Sequence, residues 1–347
     1  MKKKIRNVIK FTIKKLIHFF FKKKITNLLS KLELLQIGKK ILVKECKFCK
    51  NNNLKIIGYI NLNKDYALFE KNNNNLKWIF LLNLPKIFYY WKLNTLRILT
   101  IEALWEYLDG KIKLYYLFCD QCKVFFHNYN DHEKNFEKHY SFYYRLNTNK
   151  LVYGRAKEKS HLDNYNEYID TFKNYLKNKT ILDVGCAEGT MINLIQKRGL
   201  SKNCYGLEPS KQMYYYSQKQ NLKNIVNSTY KKNLYQEGFF DLIICHHVFE
   251  HFEDINSEIE KFFFHLNDVG ELILSIPIVE DELKKINIKD ENLNLSNNHN
   301  FTSDHINLFS KEFLINIFAM HNFRAIETFE NTRKHLVSDL TIVFKKS

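Results

Sequence analysis

The sequence predicts a two-domain α/β chain, on three observations. From about residue 179 onward, short apolar runs alternate with helical patterns, as strands do when they feed crossover helices in a sheet. Within that stretch ILDVGCAEGTMINLI, Ile181 to Ile195, carries an apolar strand straight into a glycine-containing turn and then a helix. Ahead of it stand two CxxC pairs, four thiols in two knuckles. A chain of 347 residues has room for two domains and a core large enough to need no disulfide staples.

Residues 1 to 40 read as a basic amphipathic arm. No acidic residue precedes Glu33, while Lys2, Lys3, Lys4, Arg6, Lys10, Lys14, Lys15, Lys22, Lys23, Lys24 and Lys31 all lie in the first 32 positions. Ile5, Val8, Ile9, Ile13, Leu16, Ile17, Phe20, Phe21, Leu28, Leu29 and Leu32 keep near-helical spacing, so one face is apolar and the other cationic. That pattern suits a helix lying on an anionic membrane surface, and it equally suits a stripe docked on the protein's own core. His18 and the lysines at 22 to 24 break the apolar run and no A-x-A site comes after it, which excludes a signal peptide. The stretch is also too interrupted to span a bilayer, which takes about 20 apolar residues.

The formal net charge is +17, and removing the arm's eleven charges leaves +6 for the other 315 residues. The excess therefore speaks of location more than of nucleic acid, which is the less favoured partner. Seven cysteines, four paired as CxxC and three alone, suit a reducing compartment. The expected location is cytoplasmic, with peripheral attachment to the inner membrane surface through residues 1–32.

Residues 41–130 hold Cys46 and Cys49 in ECKFCK, and Cys119 and Cys122 in FCDQCK. Together they offer the ligand set of a structural four-cysteine zinc site, which stabilises a fold and does no chemistry. The alternative is a set of buried or redox-active thiols. Lys50 and Lys123 stand where glycine usually lets a knuckle turn back toward the metal, and 69 residues separate Cys49 from Cys119. That insertion is expected to contribute strands of its own: Trp78 to Trp91 reads as buried strand and turn, and Asn72 to Asn75 as a loop tip. Residues 131–178 read as a polar, Tyr-rich helical connection, in which Tyr140, Tyr143 and Tyr144 could close over a ligand.

Residues 179–347 carry the candidate chemistry. Gly185 and Gly189 give the turn after the first strand its freedom and let a ligand approach the backbone; the helix opening near Gly189 presents free N–H groups. The spacing D-x-G-x-A-x-G is neither the dinucleotide pattern nor a P-loop. About twenty residues on, Glu208 closes a second apolar run, CYGLE, where a carboxylate can accept both hydroxyls of a ribose. FDLIICHHVFEHFED then places His246, His247, Glu250 and His251 at the carboxyl end of a strand from Asp241 to Cys245, where open α/β sheets bind ligands. Downstream, SDHINLFSKEFL sets Asp304 beside His305 ahead of a helix with Ser310 as N-cap and Glu312 in its first turn.

Four of these segments, ILDVGCAEG, YGLEPS, FDLIICHHVFEH and GELILSIP, taken in order, resemble the first, second, fourth and strand-five motifs of class I S-adenosylmethionine-dependent methyltransferases. The resemblance covers about residues 179 to 345. It implies a Rossmann-like, seven-stranded methyltransferase sheet, with a smaller amino-terminal zinc-binding domain beside it. It also implies S-adenosylmethionine as cofactor, with Asp183, Gly185 and Gly189 at its methionine end, Cys186 in the same turn, and Glu208 on the ribose. The adenine contact falls nearest Ser228 or Thr229, because the acidic residue common in the family after strand three is missing from NIVNSTYKKN. His246 is expected to touch the cofactor as well.

Methyl transfer from a sulfonium is a displacement that needs alignment and, for a hydroxyl or carbon acid, loss of a proton. His251, paired with Glu250, is the first candidate base, and His305 the second. The segment that contains the second knuckle, YLFCDQCKVFFHNYNDHEKNFEKHYSFYYR, is similar to the zinc-binding module of methyltransferases acting on sugar nucleotides and bacterial glycan precursors. Pro85, Pro209 and Pro277 are the only prolines, so neither N-P-P-Y nor a Pro-Cys nucleophile is present and base methylation loses support. The expected acceptor is a small molecule or glycan, a nucleotide-linked sugar or polysaccharide precursor methylated on carbon or oxygen. The rivals are an RNA methyltransferase, and a non-catalytic membrane-tethered scaffold that keeps the fold.

Overall fold

A computed structural model describes residues 43–61, 113–127, 159–277, 279, 293–296, 298, 300–302, 305–331 and 339–347. The basic arm, Asn72 to Asn75, Trp78 to Trp91, the tyrosines at 140, 143 and 144, and Asp304 lie outside the described residues. Two compact units are present: the first comprises 1–119, 127–135 and 287–304, the second 120–126, 136–286 and 305–347. No helix among the described residues is long and apolar enough to cross a membrane.

In the first unit β1 (Leu54–Asn61) pairs antiparallel with β2 (Lys113–Cys119), with a bulge between Ile56 and Gly58. The Tyr116 hydroxyl donates to the Thr302 carbonyl at 2.6 Å, and its ring meets Phe301 edge to face, so residues near 301 pack on β2.

The second unit is built on a seven-stranded sheet, and the expected α/β class holds. Its strands are β4 (Ile181–Val184), β5 (Cys204–Leu207), β6 (Ile225–Val226), β7 (Phe240–His246), β8 (Leu266–Pro277), β10 (Phe323–Asn331) and β11 (Asp339–Lys346), in the order β10-β11-β8-β7-β4-β5-β6. β6, β5, β4, β7 and β8 run parallel, while β11 is antiparallel to both β8 and β10. Every residue of β4 is buried, as the unbroken apolar run ILDV requires of a strand covered on both faces. Separately, β3 (Val124–His127) pairs antiparallel with β9 (Asn307–Phe309).

The order in which strands are added to the sheet reverses at β4. From it the chain steps outward through β5 and β6, then returns to lay β7 and β8 on the other side. A crevice opens at such a switch point, because the connections leaving neighbouring strands diverge. Three of the helices that cover the sheet open with the side-chain caps their sequences offer: Ser210 accepts from the Met213 amide at α4 (Lys211–Lys219), Asp254 from Ser257 at α5 (Ile255–His265), and Ser310 from Phe313 at α6 (Lys311–Met320). The connection before β4 contributes α1 (Lys159–Thr171) and the short α2 (Lys173–Leu176), whose Tyr168, Ile169, Phe172 and Leu176 join the core beside Ile181 and Ile244.

α3 (Thr190–Lys197) instead starts from Gly189 in the left-handed conformation, φ 76°. A Cβ there would sit 2.5 Å from Leu222 Cδ1 and 2.7 Å from Ile225 Cδ1. Packing of the turn against Leu222 and Ile225 thus demands this glycine independently of any ligand. Gly189→Ala should destabilise the folded chain by about 2 kcal/mol, adding left-handed strain to overpacking. Urea unfolding measures this, and an unchanged midpoint would mean that the turn shifts freely.

Candidate functional site

At the end of β4 the turn folds back on β5: the amides of Gly185 and Cys186 both donate to the Leu207 carbonyl, at 2.8 and 3.0 Å. Gly185 has φ 74°, and a Cβ on it would meet Val248 Cγ2 at 2.5 Å, so this glycine too answers to packing. Ala187 also lies in the left-handed region, φ 49°. That conformation aims its amide at Glu208 Oε2, 2.9 Å away, while Glu208 Oε1 accepts from the Ser210 amide at 2.7 Å. One carboxylate therefore joins the glycine turn to the first turn of α4. Asn227 Nδ2 holds the Glu208 carbonyl at 2.8 Å from the loop after β6.

Asp183 and Glu208 are 3% and 4% exposed, two acids nearly withdrawn from water. Burial lifts the Asp183 carboxyl to about 7, and the negative charge of Glu208 adds to the lift. Burial likewise raises Glu208 to about 7, against the pull of the Ser210 and Ala187 amides. Such a pair favours a ligand that brings positive charge and hydroxyl donors. Nearby, the buried Thr190 Oγ1 at the start of α3 has no hydrogen-bond partner among the described residues, a further polar atom that a ligand could satisfy. Cys186 is buried, and desolvation pushes its thiol well up, which disfavours the thiolate form. Thr229 lies half-buried on the loop after β6, its carbonyl accepting from Ser228 Oγ at 2.8 Å.

The second cluster lies where β7 ends. His246 packs its ring 4.7 Å from Tyr168 of α1 and 4.6 Å from His247. His247, which the sequence did not single out for a role, takes the left-handed conformation at φ 53° and donates its amide to the Ser275 carbonyl of β8 at 2.8 Å. Its ring then bridges two acids: Nδ1 lies 3.4 Å from Glu250 Oε1 and Nε2 lies 3.2 Å from Asp339 Oδ1, at the start of β11. Burial opposes charging this ring, but Asp339 and Glu250 outweigh it and raise His247 to about 10. Burial would also raise Glu250, yet His247 beside it, with the fields of His251 and His305, brings the carboxyl down to about 2.

Glu250 and His251 sit in a single 3-10 turn, Phe249–His251. The His305 ring centroid lies 5.3 Å from that of His251, and one ligand atom from each of Glu250, His251 and His305 falls within 4.8 Å of the others. What brings them together is Asn307 of β9, whose Nδ2 donates to the Phe252 carbonyl at 2.6 Å and ties the strand after His305 to the turn. The structure thus gathers Glu250, His251 and His305 into one cluster, and Asp183, Gly185, Cys186, Gly189 and Glu208 into another around the β4 turn.

The cysteines also meet. Cys49 Sγ lies 3.6 Å from Cys119 Sγ, and the sulfurs of Cys46, Cys49, Cys119 and Cys122 all fall within 4.8 Å of one another. A disulfide would need about 2.05 Å; two thiolates on one tetrahedral zinc stand about 3.8 Å apart, from zinc–sulfur bonds of about 2.3 Å. Lys50 and Lys123 adopt φ 62° and 54°, the left-handed turn glycine usually supplies, and the Lys50 amide donates to the Cys46 carbonyl at 2.9 Å. The knuckle shape is therefore kept without the glycine. Without a metal, burial and the neighbouring Cys119 raise the Cys46 thiol to about 11.

Residues 160–328 match a family model described as a methyltransferase domain. That match spans just under half of the chain. A search of curated proteins gives no match. Among solved structures, a SAM-dependent methyltransferase from Aquifex aeolicus is similar at 16% identity and TM-score 0.41, covering 57% of this chain and 100% of its own. The 1,6-didemethyltoxoflavin-N1-methyltransferase of Burkholderia thailandensis is similar at 10% identity and TM-score 0.47, covering 70% of this chain and 98% of its own. Magnesium protoporphyrin IX methyltransferase from Synechocystis PCC 6803 is similar at 18% identity and TM-score 0.41, over 54% and 84%.

The bridge at His247 sets a pH dependence. A ring whose pKa is raised on folding stabilises the fold fully below its unfolded value, about 6.5, and loses that contribution as pH rises through about 10. The gap in unfolding free energy between the wild type and His247→Gln should narrow steadily from pH 7 to pH 10. Chemical denaturation across that range measures it, and a gap independent of pH would mean the ring is not charged in the folded state.

Proposed function

We propose that this methyltransferase uses S-adenosylmethionine to methylate a small-molecule or glycan acceptor, a nucleotide-linked sugar or polysaccharide precursor, on oxygen or on acidic carbon. The observation that carries the cofactor is the buried pair Asp183 and Glu208 at the sheet's switch point. Bound there, the cofactor supplies an electrophilic methyl on a positively charged sulfur. Glu208, held by the Ala187 and Ser210 amides, is fixed in position to accept hydrogen bonds from a ribose diol. Asp183, desolvated and ready to ionise, is placed to pair with the ammonium of the methionine end. Thr190 Oγ1 and the loop holding Thr229 complete the polar surroundings, and His246, stacked near Tyr168, bounds the site at the end of β7.

Glu250, His251 and His305 form the acceptor end, where the acceptor's proton leaves. His251, flanked by the ionised Glu250, is the base, and His247 holds Glu250 in place. The resemblance of the second cysteine knuckle to the module of sugar-nucleotide methyltransferases supports the acceptor class. The arm of residues 1–32 would keep the enzyme at an anionic membrane surface, near membrane-bound precursors. A structural zinc held by Cys46, Cys49, Cys119 and Cys122 fits the sulfur spacing and the two left-handed lysine turns.

Calorimetry with S-adenosylmethionine tests the first step. Because Asp183 and Glu208 must both be ionised to hold a cationic ligand and both sit at about 7, affinity should rise as pH goes from 6 to 8. Glu208→Gln should bind about tenfold or more weakly, the cost of weakening a charged hydrogen-bond acceptor. Absence of binding at millimolar cofactor would sink the reading. Incubation with the cofactor and a panel of nucleotide sugars, glycan precursors and RNA identifies the acceptor by which pool gains a methyl; label in RNA alone would transfer the assignment to RNA.

Metal analysis should find about one zinc per chain, lost in Cys46→Ser together with thermal stability of the first unit. Metal-free protein with intact thiols and unchanged stability would remove zinc from the account.

A further inference from the structure

The acceptor end holds a carboxylate that its neighbours do not satisfy. Glu250 is 1% exposed, and neither of its oxygens has a hydrogen-bond partner among the described residues; His247 Nδ1, at 3.4 Å, provides an ion pair to one of them. A buried carboxylate ordinarily accepts several hydrogen bonds, and an ionised one left short is expensive. A desolvated oxygen pair short of donors, gathered within 4.8 Å of a nitrogen from each of two imidazoles, is a donor set that a cation satisfies.

We propose that Glu250, His251 and His305 bind one divalent transition-metal ion, which takes the acceptor's oxygen as a further ligand. Two imidazoles and one carboxylate make a three-point nitrogen and oxygen site, suited to manganese, iron(II), cobalt or zinc, and it leaves coordination positions open. Metal–ligand bonds of about 2.1 Å put neighbouring ligand atoms roughly 3 to 3.5 Å apart. All three atoms already lie within 4.8 Å of one another, so a bound ion would draw them together over a short distance. The supporting groups are already in place: His247, anchored by Asp339, steadies the carboxylate, and the Asn307 amide anchors the turn that carries it.

This inference rests on the proposed methyl transfer for its chemistry and deepens it by naming the acceptor atom. A hydroxyl bound to the ion loses its proton to solvent water near neutral pH, because coordination lowers its pKa. The resulting alkoxide oxygen forms the new bond to the methyl carbon; the sulfur–methyl bond breaks, and its electron pair returns to sulfur as the neutral thioether. With the ion bound, His251 is its ligand in place of the base role that the metal-free cluster gives it, and the ion acidifies the acceptor. The acceptor class narrows to hydroxyl-bearing molecules, and a sugar diol able to offer two oxygens suits the open positions best.

Manganese(II) distinguishes this site from the cysteines, which as soft ligands hold zinc and discriminate against manganese. The full chain, with its cysteines zinc-loaded, is titrated with manganese(II) while electron paramagnetic resonance follows the free ion. One manganese per chain is expected, bound at least tenfold more weakly by His305→Ala and by Glu250→Gln, with S-adenosylmethionine calorimetry on each variant verifying its fold. Methylation of a hydroxyl acceptor should rise with manganese in the wild type and fail to respond in His305→Ala. No binding at millimolar manganese, or equal binding by wild type and His305→Ala, overturns the metal site while cofactor binding leaves the methyltransferase reading intact. Manganese binding abolished by His305→Ala, with no acceptor methylated, keeps the site and overturns the proposed acceptor.

Discussion

The candidate site depends on a single carboxylate spanning two loops. Glu208 takes the Ala187 amide with one oxygen and the Ser210 amide with the other, so the turn after β4 and the start of α4 are fixed by one side chain. For the Ala187 amide to point inward its residue must enter the left-handed region, and the tight turn ends on Gly189, which cannot carry a Cβ against Leu222 and Ile225. The strain of the turn, the missing side chain and the buried acid form one arrangement, in which no part is accessible without the others. A buried anion with only two amides for company is costly, which is why burial lifts Glu208 and its neighbour Asp183 to about 7. Under the proposed function, a cofactor with positive charge and hydrogen-bond donors would offset this cost.

The far side of the switch point obeys the opposite logic. There the acid is held ionised, because His247 is wedged between Glu250 and Asp339 and stays charged. His247 also donates its amide to Ser275, so one residue connects the turn after β7 to β8 through its backbone and to β11 through its ring. Across the sheet's carboxyl edge lie two acidic centres in different states, one poised near neutrality and one firmly anionic. Under the proposed chemistry, these two states suit two steps that need different charge, seating a cationic ligand and acidifying an acceptor.

The parts of this architecture written in local pattern were legible from the sequence. ILDV is apolar throughout because β4 is covered on both faces, CYGLE ends in an acid because Glu208 leaves a strand edge, and Ser310 precedes its helix because it caps it. The strand-four segment was legible from Asp241 to Cys245, and the strand extends one residue further at each end, Phe240 to His246. What local pattern could not carry was long-range pairing. Asp339 lies 92 residues from His247, and only the antiparallel insertion of β11 beside β8 brings them together. His305 could be suspected as a lone histidine near a helix start, but its partnership with His251 depends on Asn307 reaching the Phe252 carbonyl. The glycines at 185 and 189 were found for their motif, and what the sequence could not show is a second constraint on them: a Cβ there would clash with Val248, Leu222 and Ile225, side chains from other elements. Lys50 and Lys123 looked like flaws in the knuckles, because a sequence does not display the left-handed backbone they adopt.

The charge states also bear on turnover under the proposed chemistry. A cofactor arriving with a positive sulfur and a positive amine meets Asp183 and Glu208 at a pH where each is near half ionised, so binding itself draws both toward the anionic form. Transfer of the methyl turns the sulfonium into a neutral thioether, and one of the two positive charges that held the acids ionised disappears. The carboxylates then regain their tendency to take up protons, and the product's electrostatic hold weakens at the moment the reaction is complete. Glu208 keeps its two amide bonds throughout, so the turn survives this cycle unchanged while the grip on the ligand does not. Burial of the acid pair, which costs the empty protein stability, thereby becomes the means by which substrate is held more tightly than product.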